Sequence, residues 1–176
     1  DGSVLHVRAA PGDGEHVRGE IDWERRFDHM QQHTGQHILS QAFERILDAP
    51  TVSFHLGADV CTIDVQLASL STDDAAAVED LANAIVFAAT PVHVHEVTQS
   101  ELARFPLRKQ PTVNGLIRIV EIEGFDYSPC GGTHVRSAAE IGLIKIRRWE
   151  KRGDTQRVDF FCGRRALLDY RWKNET

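Results

Sequence analysis

Two pairs of residues in this sequence could hold a metal ion. His33 and His37 stand four apart in HTGQHILS, and on a helix residues at i and i+4 share one face. Cys130 and His134 repeat the four-residue step in PCGGTHV, but Gly131 and Gly132 lie between them, so this pair reads as a tight turn in which the backbone can come close to a ligand. Three imidazoles and one thiolate form a donor set suited to tetrahedral zinc, one ion per chain. Each pair alone has a plain alternative: a helix-flank histidine pair, or a buried cysteine beside an unrelated histidine. Their joint presence favours the metal.

The first pair needs a helix, and the segment Asp28 to Leu47 supplies one. Asp28 can cap it with Gln31 three residues on, and Pro50 disfavours helix in the residue ahead of it. At about 100° per residue His37 lies about 40° from His33, while Ile38, Leu39, Ala42, Phe43, Ile46 and Leu47 cover the far side. The histidines are therefore expected beside the apolar stripe. Strands are expected at Thr51 to His55 and Cys61 to Leu67, then a helix capped by Ser71 or Thr72 that ends before Pro91. Val92, Val94 and Val97 suggest a strand whose other face carries His93 and His95, read as a solvent-facing pair.

A short helix near Thr98 to Phe105 and the loop PLRKQPTVNG lead into a strand at Leu116 to Ile122, with the CGG turn directly after it. Gly142 to Trp149 and Thr155 to Cys162 form a hairpin around KRGD, and Gly163 to Lys173 ends the chain as a helix. At the start, Ser3 to Arg8 and Glu15 to Ile21 read as a hairpin around PGDG. Hairpins outnumber βαβ units, so the expected class is α+β with a mainly antiparallel sheet and packed helices.

HTGQHILS followed by FHLGADVCTIDV, PCGGTHV and IGLIKI resembles the editing domain shared by alanyl-tRNA synthetases and the free-standing AlaX proteins, with a related domain in threonyl-tRNA synthetase. The likeness runs over residues 16 to 165, and IDWERRFDHMQQHTGQH is similar to the free-standing proteins in particular. It implies a metal-dependent aminoacyl-tRNA deacylase that hydrolyses the ester of a wrong amino acid, serine and in some members glycine, on the tRNA for alanine. It also implies a division into residues 1–24, the tail of an N-terminal β-barrel whose GGGQ-type motif is missing here, and residues 25–176, the zinc-dependent editing domain. The alternatives are a non-catalytic zinc-stabilised RNA-binding module and an editing domain cut from a larger synthetase.

Zinc is structural if His33, His37, Cys130 and His134 all bind at once, and catalytic if one position stays open, where it would activate water and polarise the ester carbonyl. No general base can be assigned: Asp28 and Asp126 flank the motifs, where acids are usually caps or turn formers. An editor must attack the seryl ester and spare the alanyl one, and a site built to bond the hydroxyl can reject its absence by up to about 10⁴ to 10⁵. The residues in position to line such a pocket are Gln36, Gly131, Gly132 and Thr133. By family analogy Ser53 and His55 of VSFHLG join them, although Phe54 stands where a polar residue is expected. The plain alternatives are an exposed Gln36 and a Thr133 that bonds its own turn. The glycines are read as leaving room for the terminal adenosine, so that bulk at Gly132 would block access while zinc stays bound.

The net charge of −6 argues mildly against a nucleic-acid partner, but it is unevenly spread. Residues 1–100 hold 5 Lys+Arg against 16 Asp+Glu, and residues 101–176 hold 15 against 10. Arg104, Arg108 and Lys109, then Arg147, Arg148, Lys151, Arg152 and Arg157 carry the positive charge. Such runs are usually solvated faces; Arg147, Arg148, Lys151 and Arg152 are the candidates for tRNA contact. Three widely spaced cysteines fit a reducing compartment. No apolar run reaches 18 residues and the first residues lack a signal-peptide pattern, so a cytoplasmic protein is expected.

Overall fold

The computed structural model describes residues 18–112 and 115–175. Helix α1 (Trp23–Leu47) opens one and a half turns earlier than expected, because Asp22 caps it by accepting from the Arg25 N–H at 3.1 Å. Asp28 lies inside the helix and pairs instead with Arg165 at 2.6 Å. At the other end Asp48 turns left-handed (φ 51°) and its N–H still reaches the Glu44 carbonyl, which stops the helix short of Pro50.

Strands β1 (Thr51–Leu56), β2 (Cys61–Val65), β6 (Ile144–Arg152) and β7 (Thr155–Cys162) form one antiparallel sheet in the order β1-β2-β7-β6. Strands β3 (Val92–Val97), β4 (Ile117–Ile122) and β5 (Asp126–Pro129) form a second. The class is α+β, as expected, with its antiparallel strands divided between two sheets. Strand β5 was not foreseen: four residues ending in proline carry little strand signal, yet they pair with β4 from Ile119↔Pro129 to Ile122↔Asp126. Proline fits there because β5 is an edge strand. Helix α2 (Thr72–Phe87) is capped by Ser71 and packs on α1 and β6, and α3 (Arg164–Glu175) closes the chain against β7.

Helix α1 is the centre of this arrangement, touching α2, β1, β2, β5 and β7. Ile38, Leu39, Ala42 and Phe43 are fully buried and join Ile63, Val65, Val158 and Phe160 in the main core. Ile46, placed in the stripe by its angle, is 44% exposed. The opposite side of α1 is covered too, for Gln31, Gln32, Thr34, Gln36, His37 and Ser40 are all buried. Burial of that polar side is tolerable because its groups are bonded. Gln32 exchanges two hydrogen bonds with the Cys162 backbone, at 2.9 and 3.0 Å. Gly35 lets α1 come this near: a Cβ there would lie 2.2 Å from Cys162 Sγ.

A smaller apolar cluster of Val97, Leu102, Ile117 and Ile119 anchors the segment before the Pro106–Gln110 loop. The expected N-terminal hairpin falls outside the described residues, apart from residues 18–21, which form no strand. No helix among the described residues is long and apolar enough to cross a membrane.

Candidate metal centre and its pocket

The third and fourth turns of α1 carry His33 and His37, and the residue after β5 is Cys130. Their ligand atoms and that of His134 all lie within 4.8 Å of one another. Cys130 Sγ is 3.5 Å from His33 Nε2 and 3.3 Å from His134 Nε2. Four donors so placed can hold a metal ion.

Two of the three imidazoles are fixed from behind. His37 Nδ1 lies 3.1 Å from Asp126 Oδ2, and His134 Nδ1 lies 3.1 Å from Thr34 Oγ1, which also accepts the Val135 N–H. With both Nδ1 atoms engaged, Nε2 is left to face the centre. Asp126 is itself held: Arg108 Nε donates to Oδ1 at 2.7 Å, and Ser128 Oγ donates to Oδ2 at 2.9 Å while accepting from Arg108 at 2.9 Å. Arg118 secures the turn by donating to the Cys130 and Gly132 carbonyls at 2.6 and 2.8 Å. Asp126 is thus no turn former but the carboxylate that orients His37.

The electrostatics favour a thiolate among imidazoles. Burial works to raise the Cys130 pKa, but hydrogen bonds from His134, His33 and His37 outweigh it and bring the thiol down to about 3. Burial lowers His134 to about 4. For His37 burial again disfavours the charge, yet Asp126 and Cys130 prevail and its pKa is raised. Burial pushes Asp126 upward, and His37 and Arg108 together hold it below the ordinary carboxylate value.

A cavity of about 110 Å³ opens beside these groups, lined by His33, His37 and Cys130 and by Gln36, Thr51, Phe54, Arg108, Lys109, Ser128 and Pro129. Larger grooves of about 680 and 660 Å³ run along α3 and contain none of the four donors. Chemistry, not volume, selects the small one.

Gln36 lies in the pocket and is buried rather than exposed, its Nε2 donating to Ser40 Oγ at 2.8 Å. Ser53 and His55 do not join it. A bulge between Thr51 and Ser53 rephases β1, so Thr51 and Phe54 line the pocket while Ser53 pairs across the sheet with Asp64 and His55 with Thr62. Ser53 Oγ donates to Asp64 at 2.5 Å, and Arg157 grips the same carboxylate at 2.7 and 2.8 Å.

Gly131 and Thr133 are exposed and stand outside the cavity lining. Beside Gly132 there is no open room, because a Cβ would lie 2.2 Å from His33 Cε1. Bulk at Gly132 therefore strikes a ligand instead of blocking an adenosine.

The four basic candidates lie on β6, the edge strand farthest from β1. Arg147 bonds Asp169 at 3.0 Å and stacks over Phe161, Arg148 bonds Asp159 at 2.6 Å, Arg152 pairs with Glu150 at 2.6 Å, and Lys151 is exposed. His93 and His95 face Glu123 and Glu121, at 3.5 and 2.6 Å, away from the metal centre. Sequence reasoning missed Thr51, Phe54, Arg108, Lys109, Asp126 and Ser128 as neighbours of the site. Alternation Asp126, Ser128, Cys130 was the available signal, since a strand turns every second residue to one face.

Residues 117–159 match the family described as the threonyl and alanyl tRNA synthetase second additional domain. The chain is 37% identical over 174 residues to the alanyl-tRNA editing protein AlaX-L of Pyrococcus horikoshii, covering 95% of this chain and 43% of that one. It is 36% identical over 158 residues to the alanyl-tRNA editing protein Aarsd1 of Rattus norvegicus, covering 88% and 38%. The chain thus spans about two fifths of the length of these relatives. With the alanyl-tRNA editing protein AlaX-M of Methanosarcina barkeri it shares 33% identity over 181 residues, and here it covers 74% of the relative as well as 90% of itself. On that match, and on the family segment that contains Cys130 and His134, this chain belongs to the alanyl-tRNA editing proteins.

Proposed function

We propose that this chain is a trans-editing deacylase. It hydrolyses the ester of seryl groups, with glycyl esters as the second substrate to assay, on the tRNA for alanine, in the cytoplasm. The observation that carries the reading is a four-donor centre, three of whose members line a cavity of about 110 Å³. That space equals three to four waters at about 30 Å³ each, which suits a small aminoacyl group.

One zinc ion per chain, held by His33, His37, Cys130 and His134, is the proposed cofactor. The donor atoms beside Cys130 stand 3.3 and 3.5 Å from its sulfur, and the whole set lies within 4.8 Å, near enough for one ion. With one of the four positions released to water or substrate, the ion would supply Lewis acidity towards the ester carbonyl. Around it Asp126 and Thr34 orient His37 and His134, and Arg108 holds Asp126. Gln36 and Thr51, both bonded to Ser40, present the polar atoms suited to a seryl hydroxyl. Arg148, 74% exposed despite its pair with Asp159, retains donors for a tRNA phosphate, with Lys151 and Arg152 beside it. In this reading the editing domain begins with α1 at Trp23, two residues ahead of the division expected from the sequence.

The test is deacylation of mischarged seryl-tRNA for alanine by zinc-loaded protein, with correctly charged alanyl-tRNA as control. Seryl ester should be lost at least tenfold faster than in buffer, and alanyl ester should not. Equal lifetimes with and without protein would reject the deacylase. The presence of four protein donors favours one second reading, a closed site that shapes the pocket without activating water. Substituting cobalt separates the two: a four-coordinate spectrum unchanged by substrate supports the closed site.

A further inference from the structure

The cavity beside the metal centre admits a small aminoacyl group but is far too small for the adenosine that carries it, so on the deacylase reading that nucleoside must lie at the rim. Two rim residues keep more of their side chain open than their contacts use. Phe54 is 55% exposed, although the bulge in β1 turns it to the same face as buried Ile63, and its ring centre lies 6.3 Å from that of His33 at 30°. Lys109 is exposed, and its Nζ donates to the Thr51 carbonyl. An ammonium has three donors. Beside it Arg108 is neutralised by Asp126, whereas Lys109 forms no ion pair among the described residues. Partial burial and the neighbouring Arg108 lower the Lys109 pKa, and the Glu44 charge offsets them only in part.

We propose that Phe54 and Lys109 form a subsite for the 3′-terminal nucleotide of a single-stranded RNA end, Phe54 stacking on the base and Lys109 holding its phosphate. Unpaired RNA bases are commonly held on aromatic rings, and the backbone by charge. The loop Pro106–Gln110 fixes the distance between the two, since Arg108 ties it to β5 and Lys109 ties it to β1. The subsite therefore delivers the ester into the cavity from one side, between β1 and that loop. It lies across the sheet from the basic strand β6.

The experiment uses the zinc-loaded full chain and two uncharged RNA hairpins, one ending in CCA and one lacking the final adenosine, in equilibrium binding over a range of salt. Wild type should bind the complete end at least tenfold tighter. Phe54→Ala should weaken binding of the complete end by about five- to a hundredfold and erase the difference, and Phe54→Tyr should restore it. Lys109→Gln should reduce the salt slope by about 0.7 and raise KM for deacylation, with kcat at saturation within about twofold of wild type. Zinc content and melting midpoint, unchanged in each variant, separate these effects from misfolding; if Phe54→Ala fails to fold, the Lys109→Gln slope still decides. Equal binding of both hairpins by wild type, or a Lys109→Gln protein with lower kcat and unaltered slope, would overturn the subsite. Absent deacylation with intact end-dependence of binding would sink the deacylase reading alone.

Discussion

Replacing Gly132 with alanine tests whether this glycine serves the metal or the substrate. An added Cβ would stand 2.2 Å from His33 Cε1, 2.5 Å from Nδ1 and 3.4 Å from Nε2, while ordinary contacts begin near 3.4 Å. The ring must withdraw by roughly 1.2 Å, or the turn must, and Arg118 pins the turn through the Cys130 and Gly132 carbonyls. A zinc–nitrogen bond tolerates only about 0.2 Å. His33 therefore leaves the centre, and three donors remain. Loss of a mere supporting contact behind a ligand costs about 10- to 100-fold in affinity, so a displaced ligand should cost at least as much. Competition against a colorimetric chelator gives the number, with zinc stoichiometry after dialysis as a second reading. Gly131→Ala is the control, because nothing lies within 4 Å of its Cβ. Zinc affinity within twofold of wild type in Gly132→Ala, or an equal loss in Gly131→Ala, would refute the argument; lost deacylation with full zinc would return the glycine to substrate access.

Asp126→Asn should lower zinc affinity by about 10- to 100-fold in the same competition, since the carboxylate that orients His37 Nδ1 is gone and Arg108 is left without its acid. Gly35→Ala drives a Cβ to 2.2 Å from the buried Cys162 sulfur and should destabilise the fold by about 1–3 kcal/mol in urea unfolding. Hydrogen bonding from Arg157, with Ser53 assisting against burial, lowers the Asp64 pKa below its ordinary value. The pair's contribution is therefore present above about pH 4 and is lost as pH falls through the lower folded value. Asp64→Asn should flatten the stability profile across that acid limb, and an unchanged slope would show the pair to be thermodynamically silent.

The grouping of His33, His37, Cys130 and His134 was legible because a four-residue step has geometric meaning on a helix and in a tight turn, and both steps survive in the structure. Core positions on α1 were legible for the same reason. The pocket was not. Ser53 and His55 were placed by simple alternation along β1, and a single bulge, which no local residue announces, turned Thr51 and Phe54 inward in their stead. Asp126 was misjudged as a turn former because β5 is short and ends in proline, so its alternation with Ser128 and Cys130 stayed hidden. The cap at Asp22 was passed over for Asp28, whose carboxylate is committed to Arg165 on a helix 137 residues away. Long-range partners of this kind leave no local trace.

The two halves of the metal centre are separated by 97 residues between His33 and Cys130. A chain emerging from its N-terminus exposes the histidine pair on α1 long before the second sheet exists. Two imidazoles on one helix face are a weak, exchangeable chelate, and the thiolate that completes the set arrives only once β4 and β5 have paired and the turn has docked. Closing so long a loop is slow compared with forming a helix. On the proposed zinc reading, capture of the ion is a late event of folding, and partly folded molecules would hold it loosely enough to surrender it to a competing chelator.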